Sequence, residues 1–314
     1  MKWWRVVLVI LGLGALSILL AHRADAAGGT DVCGTLPAGQ TTWNAAGSPY
    51  RICAGGVVVP SSGKLVLDGG LGSVQVQAQG SGGILVDGAI ATQATSPLAK
   101  IMFDGPGSAQ SGFWEGVNSE KLSSGQPSTV TFDLSYVDVA HSAGLGGIAA
   151  SVKLDHVAVH DGADGIDPRS ATISITNSSV SHVQYFGISS SCPTDGSPNP
   201  STIVDSNTVD DAGRSGIAVS DCGAPYGHLA VRHNRVSSSG FGSDSPDLPN
   251  FAVALTSFNS TTSTTTRGRA TFATSCSSPA ASLGGSRGSR RRTVRPCIRS
   301  AMRSAIWRCG DRAR

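Results

Sequence analysis

The residues best equipped for chemistry lie close together between positions 154 and 169, in the segment LDHVAVHDGADGIDPR. The segment supplies four carboxylates, two imidazoles and one guanidinium: Asp155, Asp161, Asp164, Asp167, His156, His160 and Arg169. Carboxylates and imidazoles exchange protons or coordinate divalent cations, and a guanidinium neutralises an anionic group. We therefore place the centre of a candidate site here.

A second pattern extends this candidate site along the chain. Five residues each follow a recurring valine by two positions: His141, Asp161, His182, Asp211 and Ser238. If the copies stack about 4.8 Å apart, these side chains form one strip of the surface. The predicted groove combines this strip with its charged neighbours: Asp161, Asp164, Asp167, Arg169, His182, Asp211 and Arg214.

The predicted groove has three interpretations. A divalent cation such as Ca²⁺ would be held by Asp161, Asp164 and Asp211. The alternating His and Asp side chains could instead serve acid–base chemistry. Alternatively, short solvated turns collect Asp, His and Ser without any function.

The elements that must position these residues are internal repeats. Five segments align without gaps over six residues: LSYVDV (134–139), LDHVAV (154–159), ITNSSV (175–180), VDSNTV (204–209) and VRHNRV (231–236). The first column is aliphatic and the sixth is always valine. Four copies then place a Gly-Ile pair: Gly147-Ile148, Gly165-Ile166, Gly187-Ile188 and Gly216-Ile217. Units this short cannot bury an apolar face alone, so successive copies must stack.

Composition agrees with a fold made of short strands. The 314 residues include 40 glycines, and glutamate occurs only at positions 115 and 120. Abundant Gly, Ser, Thr and Val with few helix formers favours strands joined by turns. Together with the repeats, this predicts an all-β fold, a right-handed parallel β-helix over residues 27–260.

The phrase SGFWEGV (111–117), ahead of the regular copies, resembles the right-handed β-helix repeat proteins of the pectate-lyase-like superfold. The resemblance covers roughly residues 50–258 and implies the fold, whereas activity differs widely among solenoids. Trp114 with Phe113 forms either a sugar-stacking platform or core packing, and we expect Tyr185 and Phe186 at an edge.

Two enzyme families share shorter motifs with the chain. The segment around LDHV (154–157) is similar to a strand of pectate lyases, which bind calcium through carboxylates and use arginine as the base. The segment 165–182 is similar to a coil of mannuronan C5-epimerases, with Asp167 and Pro168 at matching positions. Arg169 and Ser170 replace the histidine and glutamate of that coil, and the R-x-P-x-x-R phrase of pectate lyases does not occur.

The N-terminus indicates export. Lys2 and Arg5 precede an apolar run from Val6 to Leu20, and Ala24-Asp25-Ala26 provides a cleavage site. This order predicts a signal peptide over residues 1–26, because a membrane span needs about 20 apolar residues. In an exported protein we expect disulfides, and the spacing predicts two pairs, Cys33–Cys53 and Cys192–Cys222.

Charge divides the chain at about residue 260. Residues 261–314 carry twelve arginines and one acid, and the first 260 residues carry twelve basic and twenty acidic side chains. The arginine-rich tail is predicted to be a disordered basic segment or, alternatively, the product of a shifted reading frame.

The sequence thus predicts a secreted or cell-surface protein that binds extracellular or cell-envelope polysaccharide without catalysis. The alternative is a polysaccharide lyase or C5-epimerase acting on uronate polymers. We expect no nucleic-acid partner, and no membrane span after signal cleavage.

Overall fold

The structure is a computed structural model, and it describes residues 28–105, 114–119, 129–190, 201–220, 228–239, 253–257, 261–267 and 272–276. The predicted signal peptide and both Cys192 and Cys222 lie outside the described residues. In the described part the protein is all-β, and its one helical element is a 3-10 turn at Ala45–Gly47. No helix in that part is long and apolar enough to cross a membrane.

The described strands number twenty-one in chain order. They are β1 (Thr30–Thr35), β2 (Gly39–Asn44), β3 (Tyr50–Val59), β4 (Gly63–Asp68), β5 (Val74–Ala78), β6 (Ile84–Val86), β7 (Ala89–Gln93), β8 (Ile101–Asp104), β9 (Val117–Ser119), β10 (Thr131–Ala140), β11 (Leu145–His160), β12 (Ile166–Thr176), β13 (Ser179–Val183), β14 (Ile188–Ser190), β15 (Ser201–Asp205), β16 (Thr208–Ala212), β17 (Ile217–Ser220), β18 (His228–Ser237), β19 (Val253–Ser257), β20 (Thr261–Arg267) and β21 (Phe272–Cys276).

These strands pair in parallel, each with a strand one repeat further along the chain, and the pairs form three columns. The first column runs β2–β4–β7–β10–β11–β12–β15–β18–β20. The second runs β1–β3–β5–β8–β10–β11–β13–β16–β18. The third runs β1–β3–β6–β9–β11–β12–β14–β17–β19–β21. This pairing is compatible with a solenoid.

One long strand shows how the chain passes between columns. In β11, Leu145–Gly147 belongs to the third column, Ser151–Asp155 to the first and Val157–His160 to the second. The chain therefore visits the three columns in turn within about twenty residues. Side chains alternate along each strand, so every second residue faces the interior.

The register confirms the two aliphatic columns that the sequence predicts. Leu134 pairs with Leu154, and the series continues through the aliphatic residue of each later copy. The valines pair in the same way from Val139 to Val236. These residues are almost fully buried in one continuous core, and burying each aliphatic side chain contributes about 1.5–3 kcal/mol.

The predicted Gly-Ile column is wrong for its first copy, Gly147-Ile148. Leu145, rather than Ile148, pairs with Ile166, so the matching pair is Gly144-Leu145. Ile148 instead lies opposite Arg169. The later three Gly-Ile pairs are in register.

Other features add to the core or extend it. Trp114 is 1% exposed and donates from its indole nitrogen to the Ala140 carbonyl over 2.9 Å, so it is a core residue and not a sugar platform. Phe113 lies outside the described residues. Cys33 and Cys53 form the predicted disulfide, with Cα atoms 5.3 Å apart. Strands β20 and β21 continue the parallel pairing past residue 260.

Candidate functional site

A cleft of about 470 Å³ lies over the third column, across strands β6, β9, β11 and β12. The side chains that give the cleft its chemistry are Glu115, Asn118, Ser119, Asp164, Asp167 and Arg169. Four successive repeats therefore contribute to one concave surface. Concave surfaces with a few converging polar groups are the usual form of a ligand site.

Four glycines contribute bare backbone to the cleft, and we call them its floor: Gly83, Gly116, Gly144 and Gly147. Close stacking of the repeats requires glycine at these positions. Gly116 has a φ of +81°, and a Cβ there would collide with the carbonyl oxygen of Gly144. Gly147 has a φ of +99°, and a Cβ there would collide with the backbone of Ser119. Residues with a Cβ are strained in this conformation.

One row of the third column shows the same close stacking. Register places Asn118, Gly146 and Asp167 opposite one another in successive strands, and Ser189 in the next strand donates a hydrogen bond to Asp167. Gly146 is buried, and a Cβ there would collide with the backbone of Asp167. This position therefore also requires glycine.

One wall of the cleft carries an ion pair that is open to solvent. The guanidinium of Arg169 lies 3.7 Å from the Asp167 carboxylate, and the two side chains are 55% and 37% exposed. The hydroxyl of Ser189 donates to the other oxygen of Asp167 and fixes its orientation. The loose contact leaves Arg169 able to bind an external anion.

Asp164, at the edge of the cleft, is a carboxylate with an unfavourable environment. Burial raises the pKa of Asp164, and the charge of Asp167 adds to the effect. The backbone N–H of Phe186, 3.3 Å away, and the charge of Arg214 oppose the shift without cancelling it. Such a carboxyl group holds its proton more readily than an ordinary aspartate.

Arg214 lies beside Asp164 on a small aromatic surface. Its guanidinium carbon is 4.7 Å from the centre of the Tyr185 ring and 5.6 Å from that of Phe186. We call Tyr185, Phe186 and Arg214 the platform. Tyr185 is 38% exposed and is the one aromatic residue among the exposed large apolar side chains in the described part of the chain.

The turns between the second and third columns form the strip that the sequence predicts, and we call this the second corner. His141, Asp161, His182 and Asp211 occupy equivalent positions, with φ between 51° and 55°. His182 lies 3.7 Å from Asp161, and His141 lies 2.8 Å from Asp104. Asp, Asn and His adopt this conformation more readily than most residues, which explains their presence here.

His160 connects two repeats at the second corner. Its ring nitrogens lie 2.8 Å from Asp138 and 2.7 Å from Asp161. The hydrogen bond to Asp138 raises the pKa of His160 to about 9, against the effect of partial burial, and Asp161 adds to the shift. The same contact with His160 lowers the pKa of Asp161. His160, Asp138 and Asp161 thus connect two successive repeats through hydrogen bonds between charged groups.

The turns between the first and second columns, the first corner, also carry polar residues. Partial burial raises the pKa of Asp155, but hydrogen bonds from Asn177, His156 and Thr176 outweigh it and hold the pKa below its ordinary value. Tyr136 stacks on His156, with ring centres 4.7 Å apart. Asp155 and His156 therefore have partners within the protein.

The structure divides the predicted groove into three parts. Asp164, Asp167 and Arg169 line the cleft; Asp161, His182 and Asp211 belong to the second corner; and Arg214 belongs to the platform. Within the described residues, no group of three or more His, Cys, Asp or Glu side chains could hold a metal ion. The predicted calcium ligands Asp161, Asp164 and Asp211 are thus not brought together as such a group.

Sequence reasoning did not select several residues of these sites. Glu115 and Asn118 line the cleft from one repeat earlier, and Asp138 and Asp104 pair with the histidines of the second corner. The sequence does carry a signal for Glu115. It precedes Gly116-Val117, and Val117 pairs with Leu145 in the third column, so extending that column backwards finds it.

Comparisons with protein families, with curated proteins and with solved structures find no match to this chain.

Proposed function

We propose that this chain is a right-handed parallel β-helix that binds extracellular or cell-envelope polysaccharide through the cleft on its third column. The observation that carries the proposal is the cleft itself, about 470 Å³ and lined by residues of four repeats. An elongated polymer that lies along the stacking axis contacts the same wall in each repeat. A single small ligand needs no such extended surface.

The chemistry of the walls suits a sugar chain. Sugars present hydroxyl groups that both donate and accept, and the cleft offers carboxylates, an amide and a guanidinium side by side. The bare backbone of the glycine floor lets a sugar ring approach the protein closely. Arg169, held loosely by Asp167, supplies a cation for glycans that carry acidic groups.

Export fits the same function. The signal peptide predicted for residues 1–26 leads the chain to a compartment where polysaccharide is present. The Cys33–Cys53 disulfide is stable in such an oxidising compartment.

Titration calorimetry of the mature protein with a panel of neutral and uronate oligosaccharides tests the proposal. Asp167→Asn combined with Arg169→Gln should weaken binding at least about tenfold, because two groups that face the ligand lose their charge. The matched control is Asp133→Asn with Lys153→Gln, an exposed pair 3.1 Å apart on the first column. Equal affinities for the two double variants, or no binding by the panel, contradict the proposal.

A lyase or C5-epimerase acting on uronates is the second candidate, and the carboxyl group of Asp164 is the observation that favours it. A carboxyl whose pKa is raised can exchange a proton nearer to neutral pH, as acid–base catalysis requires. Incubation with uronate polymers distinguishes the two functions. Unsaturated products that absorb in the ultraviolet indicate a lyase, an altered uronate composition indicates an epimerase, and unchanged polymer indicates binding alone.

A further inference from the structure

The platform lies next to the cleft, and Asp164 joins the two. Asp164 lines the cleft, and its carboxylate accepts a hydrogen bond from the backbone of Phe186. The backbone N–H of Tyr185 also donates to the Ala163 carbonyl over 2.9 Å, and the backbone N–H of Arg214 donates to the Tyr185 carbonyl over 2.8 Å. The platform therefore stands one and two repeats beyond the cleft, on the same face.

Successive repeats connect the cleft directly to the platform. Ala143 lines the cleft, and its carbonyl accepts a hydrogen bond from the backbone N–H of Asp164. The carbonyl of Ala163 accepts one from the backbone N–H of Tyr185. A chain molecule in the cleft can therefore continue from the repeat of Asp164 to the next repeat and reach Tyr185.

The platform has the chemistry of a sugar subsite. Arg214 lies over one face of the Tyr185 ring, and the exposed remainder of the ring offers an apolar surface to the C–H face of a pyranose. Arg214 lies over both rings and has no carboxylate within ion-pair distance among the described residues, so its outward N–H groups remain available. A guanidinium placed in this way binds a carboxylate or a sulfate with two parallel hydrogen bonds.

We infer that Tyr185, Phe186 and Arg214 form a second subsite, which receives an anionic sugar residue of the same polysaccharide chain that occupies the cleft. This inference rests on the proposed function and adds to it a substrate class. The distribution of charge favours this position for the acidic group. The cleft carries Glu115, Asp164 and Asp167 against Arg169, so an anionic sugar residue is repelled less beside Arg214 than within the cleft.

The test compares three hexasaccharides by titration calorimetry: galacturonate, neutral galactan and sulfated galactan. Arg214→Gln should weaken binding of an acidic hexamer about tenfold and leave the neutral hexamer within about twofold. A loss for galacturonate alone identifies a carboxylate ligand, and a loss for sulfated galactan alone identifies a sulfate. Arg235→Gln, at an exposed arginine on the second column, is the matched control for net charge.

Variants of the ring provide an independent measurement. Tyr185→Ala should weaken all hexamers that bind, whereas Tyr185→Phe should retain the affinity because the ring face is kept. If Arg214→Gln and Tyr185→Ala both leave every affinity unchanged while Asp167→Asn with Arg169→Gln lowers them, the subsite is refuted and the cleft function stands. If no hexamer binds the unaltered protein, both are refuted.

Discussion

The first corner and the cleft use the same residue types to opposite effect. At the first corner, Asp205 is surrounded by donors, with Arg232 at 2.8 Å, His233 at 2.9 Å and Ser206 at 3.0 Å. Partial burial raises the pKa of Asp205, but hydrogen bonds from His233 and Arg232 lower it overall. In the cleft, burial dominates and the pKa of Asp164 is raised. Asp205 thus stabilises the fold through its hydrogen bonds, whereas Asp164 lies in an environment that disfavours its charged form.

The largest loss of stability is expected at the buried side of the first corner. Asn207 is 1% exposed, and its amide donates to the Ile175 carbonyl and accepts from the Ser178 N–H, both over 2.9 Å. Asn207→Ala leaves these groups buried and unpaired, so it should lower the free energy of unfolding by about 3 kcal/mol. Chemical denaturation measures this. Thr208→Ala, at the exposed neighbour, should change it by less than about 0.5 kcal/mol.

A smaller loss is expected at the exposed side of the same corner. Asp205→Asn removes the charge that Arg232 and His233 share, and should cost about 1–2 kcal/mol at neutral pH. Because the pKa of Asp205 is lowered in the folded state, its contribution is present above the unfolded pKa of 3.8 and disappears as the pH falls through the folded value. Denaturation curves of both proteins should therefore converge in acid. A constant difference at every pH would contradict this account.

His160 at the second corner should give the opposite pH dependence. Its folded pKa is about 9 against an ordinary value of 6.5, so its stabilisation is complete below pH 6.5 and is lost as the pH rises through about 9. With one third of the side chain exposed, solvent screening reduces the effect to on the order of 1 kcal/mol. Thermal unfolding between pH 6 and pH 10 should show the loss, and His160→Gln should abolish it.

The smallest effect on stability is expected in the cleft. Asp164→Asn removes a carboxylate whose pKa burial has raised, so stability at neutral pH should stay the same or rise by less than about 1 kcal/mol. The folded protein disfavours the charged form above the raised pKa, and this cost vanishes below the unfolded pKa of 3.8. Any gain from the substitution should therefore vanish in acid. If Asp164→Asn destabilised the protein as much as Asp205→Asn, the proposed difference between the cleft and the first corner would be refuted.

The columns could be predicted from sequence because they depend on period alone. Every valine from Val139 to Val236 faces the interior, and a shift of one residue would expose it. The third column was harder, since the turn before it changes length from repeat to repeat. Val139 and Leu145 are six residues apart, whereas Val180 and Ile188 are eight apart. The segment Gly144–Ile148 contains two glycine–aliphatic pairs, and spacing could not choose between them.

The same variable turn limited the prediction of the site. Asp161 and Asp164 are three residues apart, yet the chain crosses the second corner between them, so they face different surfaces. His160 was noted in the sequence, but its partner Asp138 lies one repeat earlier and becomes visible only in the register. The platform needed three-dimensional information, because Arg214 reaches back over rings that lie 28 and 29 residues before it.

The glycine floor of the cleft also determines how this protein can be redesigned. A side chain at Gly116 or Gly147 would require a neighbouring repeat to move, so redesign should leave these two positions as glycine. The wall at Arg169 is different, because this side chain is 55% exposed and lies 3.7 Å from Asp167. Libraries randomised at Arg169 should vary ligand preference while the melting temperature stays nearly constant. The cleft therefore combines a floor that must stay glycine with a wall that can be changed.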